Sequence, residues 1–393
     1  MGKANKLISK IVGVKKYLFF LSILFFITLW LYRIVKINLI IVNGHLFDFY
    51  KLFFAAKELV GKGESEFIAS SSYGPPIIYV PYIPLTFLSF KIAEFIITYI
   101  NLTSYFLVFY LFWRKYYSKT NPYFWFFLGI LAFSFPIIYS LGMGNPIGIV
   151  LLGIYGSYVL RNRIVSGFFY GLASMMKLFP LIMLPFLFID KFKKRAKDLN
   201  KQSKKFLYAF VAVVALIVLS VPVKVWGSYF NFISGIFGKV ATGVDLSAYN
   251  QSFSSGITRL GLTVYSFSSS YWIYALLLLS ILSFYTFHLL KNKMKFDIQF
   301  YLFLIAFTLL IHPFPWQYYY AIFIPFLMVK IFKREFAYLV VFLLLSWDGN
   351  RFQIYPFIDK FLLGSQFFGT LILYLLIGLR PISFNSLKLR LKL

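Results

Sequence analysis

The chain has 393 residues, 60% of them hydrophobic and 13% charged, with a net charge of +28. A soluble globular domain carries about a quarter charged residues, so this composition excludes one and predicts an integral, all-α polytopic membrane protein. The positive charge does not argue for nucleic acid: the basic residues cluster between apolar runs, as the positive-inside rule describes, whereas a nucleic-acid binder gathers them on one folded face. Cys is absent, and His45, His288 and His312 are far apart in sequence, so neither a disulfide nor a preformed metal cluster is expected, and no cofactor.

Lys3, Lys6, Lys10, Lys15 and Lys16 place the N-terminus in the cytoplasm. No small-residue cleavage site follows them, so the apolar run behind them reads as a first span over about 17–39. The stretch 43–91 then stays outside. It holds four of the twelve acidic residues, Asp48, Glu58, Glu64 and Glu66. Helical spacing from Asp48 puts Lys51, Ala55 and Glu58 on its face, and Phe49, Leu52, Phe53, Ala56 and Val60 largely on the other. Such a helix lies in the membrane interface with Asp48 facing a cavity. The segment 76–90 is apolar but short and interrupted by Pro81 and Pro84, so it reads as a second interfacial helix.

Spans follow at about 92–113, 122–141 and 146–160. Residues 166–189 must leave and return, because 191–205 is strongly basic. They are too few to cross twice, so two short helices turn near Lys177–Pro180, with Lys177 part-way into the membrane. Such irregular backbone is tolerated only inside protein or beside a watery cavity. Further spans are expected at 206–223, 270–290, 297–311, 316–329, 336–347 and 363–379, about twelve in all with the two short ones. In this arrangement 28 of the 40 Lys and Arg residues face the cytoplasm. Both termini are cytoplasmic, the chain forms one membrane domain over 1–393, and the outer loops are 43–91, 224–268 and 348–362. The cell membrane is the expected location.

Several pieces in this order resemble the GT-C superfamily of membrane glycosyltransferases, and more closely glycosyltransferase family 87, the polyprenol-phosphate-mannose-dependent alpha-mannosyltransferases. They are FDFYKLFFAAKELVGKG with YGPPIIYVPYIPL, then GNPIGIVLLGIY, SGFFYGLASMMKLFPLIMLP, NQSFSSGITRL and HPFPWQYYYAIFIPF. The resemblance implies a GT-C-type fold, a polyprenyl-phosphate sugar donor and an acceptor hydroxyl at the outer face. It also implies inversion at the anomeric carbon and an acidic base in the first outer loop, the position Asp48 occupies. The family often has Gln where this chain has Asn145.

Sugar transfer needs a base for the acceptor proton and positive charge or donors for the leaving phosphate. Asp48 is the candidate base, weighed against an interfacial Asp that merely faces water; Glu58 is the reserve. Lys177, Arg259 and His312 are candidate phosphate binders, since an ionisable residue at membrane depth is a functional hypothesis. The plainer readings are a snorkelling Lys, a surface Arg and a helix-end His. Asn250 and Gln251, in the polar stretch before Arg259, and the aromatic residues Tyr73 and Trp316 complete the substrate-binding candidates. Expected partners are a polyprenyl-phosphate sugar, a glycan, glycolipid or other hydroxyl acceptor, and membrane lipids. The rival reading is a lipid-linked sugar or polysaccharide flippase. That class shows repeat symmetry and polar residues through both halves, while here the polar residues gather at one face.

Overall fold

The computed structural model describes residues 2–61, 76–117, 122–160, 162–177, 179–183, 196–221, 223, 225–227, 280–286, 298–311, 316–347 and 364–387. Among these, the chain is built of α- and 3₁₀-helices, and the protein is an all-α polytopic membrane protein. The helix α1 (Gly2–Asn43) contains an apolar span from Lys16 to Asn43, and α3 (Phe90–Tyr116) is a second apolar span. Both exceed the roughly 20 residues a bilayer requires.

The stretch that follows α1 begins with α2 (Phe47–Gly61). Phe49, Phe53 and Ala56 are buried, as the helical spacing predicts. Two positions differ from that expectation: Ala55 is buried beside Ala56, and Val60 is exposed near the helix end. Residues 76–87 are not an α-helix: they form 3₁₀ turns over Pro76–Ile78 and Val80–Phe87, the second of which packs on α2. Pro76, Pro81 and Pro84 lack the N–H groups that an α-helix would use, and their spacing favours short i→i+3 turns.

The expected single helix over 122–141 is broken. The helix α4 (Pro122–Ile130) passes through a 3₁₀ turn into α5 (Phe135–Met143), and the two halves are bent by 60°. Ser134 is extended and Pro136 sits in the first turn of α5, so the backbone restarts there. Trp30 and Arg33 of α1 donate to the Leu128 and Ala132 carbonyls, both at 2.7 Å, which satisfies groups near the break. Next come α6 (Ile147–Val159), α7 (Arg163–Met176) and the 3₁₀ turn Phe179–Met183. The chain therefore does turn at Lys177, the C-cap of α7. Then follow α8 (Ala196–Leu219), α9 (Ile298–Ile311), α10 (Ile324–Phe332), α11 (Ala337–Ser346) and α12 (Ser365–Leu387). The helix expected over 316–329 is 3₁₀ in its first part, Gln317–Phe323, and becomes α10 only where Pro325 allows an N-terminal turn. The bundle is continuous from α3 through α6 and α7 to α8, with α9, α11 and α12 packed together. Of the loops 224–268 and 348–362, all but 225–227 lies outside the described residues.

Two glycines allow close approaches here, Gly144 to the start of α2 and Gly148 to α3. Gly144, the C-cap of α5, has φ +70°, and a Cβ there would lie 2.6 Å from the Phe49 Cβ and 2.9 Å from the Leu46 Cβ. Gly148 has its own close approach, 2.5 Å from the Asn101 Oδ1 to a built Cβ. Gly144→Ala combines a left-handed backbone, costing about 1–2 kcal/mol, with a collision against α2. It should lower the thermal unfolding temperature in detergent. Gly142→Ala, where a Cβ meets nothing within 4 Å, should leave it unchanged or raise it slightly; equal effects would mean that the Gly144–α2 contact is not formed.

Candidate active site

Asp48 lies in the first turn of α2, where the helix dipole favours negative charge. The start of that helix is fixed from α3. Glu94, fully buried, accepts from the Leu46 N–H through Oε1 at 2.7 Å. Lys91 pairs with Glu94 at 3.4 Å and donates to the Ile41 and Gly44 carbonyls. The junction between α1 and α2 is thereby clamped at several backbone groups, which gives the carboxylate a defined place.

Asp48 is itself partly buried, and its Oδ2 accepts from the Asn145 Nδ2 at 2.8 Å. Burial raises its carboxyl above the usual range, and the Asn145 hydrogen bond and the charges of Lys177 and Lys51 act in the opposite direction. Lys177 therefore faces the carboxylate electrostatically, yet the two form no ion pair. Its Nζ lies 5.2 Å and 5.5 Å from the ring centroids of Tyr318 and Tyr319, within cation–π range. The Tyr318 phenol is beside both Asp48 and Asn145. Trp316 stacks on Tyr318 with centroids 6.4 Å apart, and Tyr318 stacks in turn on Tyr139 at 6.0 Å. Tyr82 approaches from the 3₁₀ segment. Its buried hydroxyl has no hydrogen-bond partner among the described residues, and burial together with the Asp48 charge pushes the phenol well up.

The structure thus brings Asp48, Lys177 and, through Tyr318, Trp316 into one neighbourhood. Glu58 is on the same helix but ten residues on, about 15 Å along the axis, and is not part of this cluster. Tyr73, Asn250, Gln251, Arg259 and His312 lie outside the described residues. Four residues that the sequence analysis did not single out as site residues also build the neighbourhood: Asn145, Asn101, Tyr82 and Glu94. A signal for part of this set exists. Glu94, Thr98, Asn101 and Tyr105 recur at helical spacing within an apolar span and are all buried, and polar residues facing inward at membrane depth mark function.

A helical membrane protein with a partly buried acid, an amide on that acid and a lysine facing it is equipped for proton and anion chemistry. Residues 73–313, more than half of the chain, match the family model for glycosyltransferase family 87, and the chain belongs to that family. It is a glycosyltransferase. No curated protein and no solved structure matches it. Asn145, Lys177, Arg259 and His312 fall inside the matched residues, while Asp48 and Trp316 lie beyond them.

Proposed function

We propose that the protein moves a sugar, mannose as the first choice, from a polyprenyl-phosphate donor to an acceptor hydroxyl at the outer face of the cell membrane, with inversion. The observation that carries this reading is Asp48: a partly buried carboxylate held by an amide and faced, but not neutralised, by Lys177. A base paired directly to a cation would be a poor proton acceptor. Here the carboxylate and the cation are not paired, and in this reading the reacting centre lies between them. The acceptor O–H gives its proton to Asp48 as its oxygen bonds to the anomeric carbon. The bond from that carbon to the phosphate oxygen breaks, and its electron pair leaves with the polyprenyl phosphate. Lys177 faces the charge that grows there. Attack from the face opposite the phosphate inverts the anomeric centre.

In this reading both termini are cytoplasmic, the chain is one membrane domain, and the loops around 43–91 and 224–268 lie outside. A glycan, glycolipid or other lipid-borne hydroxyl is the acceptor. Purified protein in nanodiscs, given radiolabelled polyprenyl-phosphate mannose and a mixture of hydroxyl acceptors, should form a labelled glycoside of inverted configuration by NMR. Transfer from a nucleotide sugar alone would overturn the donor assignment. Passage of the lipid-linked sugar across sealed vesicles without transfer would favour the flippase.

A further inference from the structure

We propose that Asn101 and Asn145 act in series as positioning residues for Asp48, Asn101 fixing a turn and the Asn145 amide fixing the carboxylate. The inference rests on the reading of Asp48 as the base. Asn101 is a buried residue in the middle of α3. Its Nδ2 donates to the Asn145 carbonyl at 2.7 Å, and its Oδ1 accepts from the Gly148 N–H at 2.7 Å. One side chain therefore grips both sides of the Asn145–Pro146 turn, where Pro146 supplies no N–H of its own. The missing side chain at Gly148 is what lets Asn101 approach.

On the other side of the turn the Asn145 N–H donates to the Ser140 carbonyl at 2.8 Å, and the Ser140 hydroxyl pairs with the Tyr105 hydroxyl at 2.6 Å. The Asn145 backbone is held from α3 at two levels, and the residue is 2% exposed. An ionised carboxylate only accepts hydrogen bonds, so the amide nitrogen faces Asp48. The amide oxygen is then turned away, buried and without a partner among the described residues. A structural asparagine would be expected to satisfy both ends of its amide. This one directs its nitrogen to Asp48, with the Tyr318 phenol beside the same amide.

The charged and titratable groups facing Asp48 among the described residues are Lys51 on its own helix, Lys177 at the end of α7, and the phenols of Tyr82 and Tyr318. The two lysines act through space. The Asn145 amide is the group in hydrogen-bond contact, so it fixes direction as well as charge.

The test is a titration of Asp48 in the full-length protein in nanodiscs. The readout is the infrared carboxyl C=O band, assigned by its loss in Asp48→Asn. Asn145→Leu removes the donor at similar volume and should raise the Asp48 midpoint by roughly one to two pH units. Asn101→Leu should move it in the same direction, and the double variant should move it no further than the larger single change. Asn145→Asp, nearly isosteric, puts two carboxylates in contact, so one should stay protonated to higher pH and the titration should split into two steps. An unmoved midpoint in Asn145→Leu, or a single unsplit step in Asn145→Asp, would overturn the contact. Additive shifts in the double variant would overturn the series arrangement. No sugar substrate is needed, so this result stands apart from catalysis. If Asp48→Asn kept full transfer activity, the base reading would fall while the titration still judged the relay.

Discussion

Asp48→Asn should lower kcat for sugar transfer by about 10²–10⁴-fold, the usual cost of losing a general base, while the donor KM changes little. The amide keeps the size of the carboxylate and can still meet Asn145, but it takes up no proton at neutral pH. Glu58→Gln is the control, because Glu58 sits three turns further along α2 and should keep near-parent turnover. The parent pH profile should carry an acid limb above the ordinary carboxylate range, since burial raises the Asp48 carboxyl and only the ionised form is a base. Activity rises with pH through that limb and then levels. Stability runs the other way. With the folded-state value raised, the folded protein binds more protons than the unfolded chain between the two values, so the Asp48 contribution is present at low pH and lost as pH rises through the folded value. Asp48→Asn should therefore unfold at the same or a higher temperature than the parent at neutral pH, with the gap closing in acid. A folded variant turning over at the parent rate, beside a dead Glu58→Gln, would move the base to Glu58. Full activity in both would end the catalytic reading of this loop.

The fold class was legible because a bilayer demands apolar helices and the charge clusters between them mark their ends. The turn at Lys177 was legible because a strongly basic stretch follows within too few residues for two crossings. The helix α2 could be read from its spacing, down to the burial of Phe49 and Phe53. Local geometry was less accessible. The break at Ser134 and the 3₁₀ starts at Val80 and Gln317 depend on which carbonyls find donors in neighbouring helices, and periodicity carries no record of that. The site was half legible. Asp48 and Lys177 stand out because charge in an apolar chain is rare. Asn101 and Asn145 carry no charge, and their roles come from hydrogen bonds across 44, 47 and 97 residues of separation. Such pairing is invisible until the helices are packed.

Lys177→Ala should raise the donor KM by roughly ten-fold or more, with a smaller effect on the acceptor. A charge-assisted contact is worth about 1.5–3 kcal/mol, and the phosphate is where the donor concentrates its charge. A lysine that merely snorkels to the interface would extend into solvent, and its removal would leave both constants alone. Lys177 instead ends α7 beneath two tyrosine rings, with its charge reaching Asp48. The same substitution carries a second signature. Removing that charge takes away one of the influences that lower the Asp48 carboxyl, so the acid limb of the transfer profile should move to higher pH. Lys177→Arg keeps the charge and the approach to the rings, so it should restore the limb. Its planar guanidinium alters the phosphate geometry, so the donor KM should recover only in part. An unchanged donor KM in folded Lys177→Ala would remove the lysine from the phosphate site. A raised KM with an unmoved acid limb would leave it there but separate it electrically from the base, and the arrangement of acid and cation on either side of the reacting centre would then have to be given up.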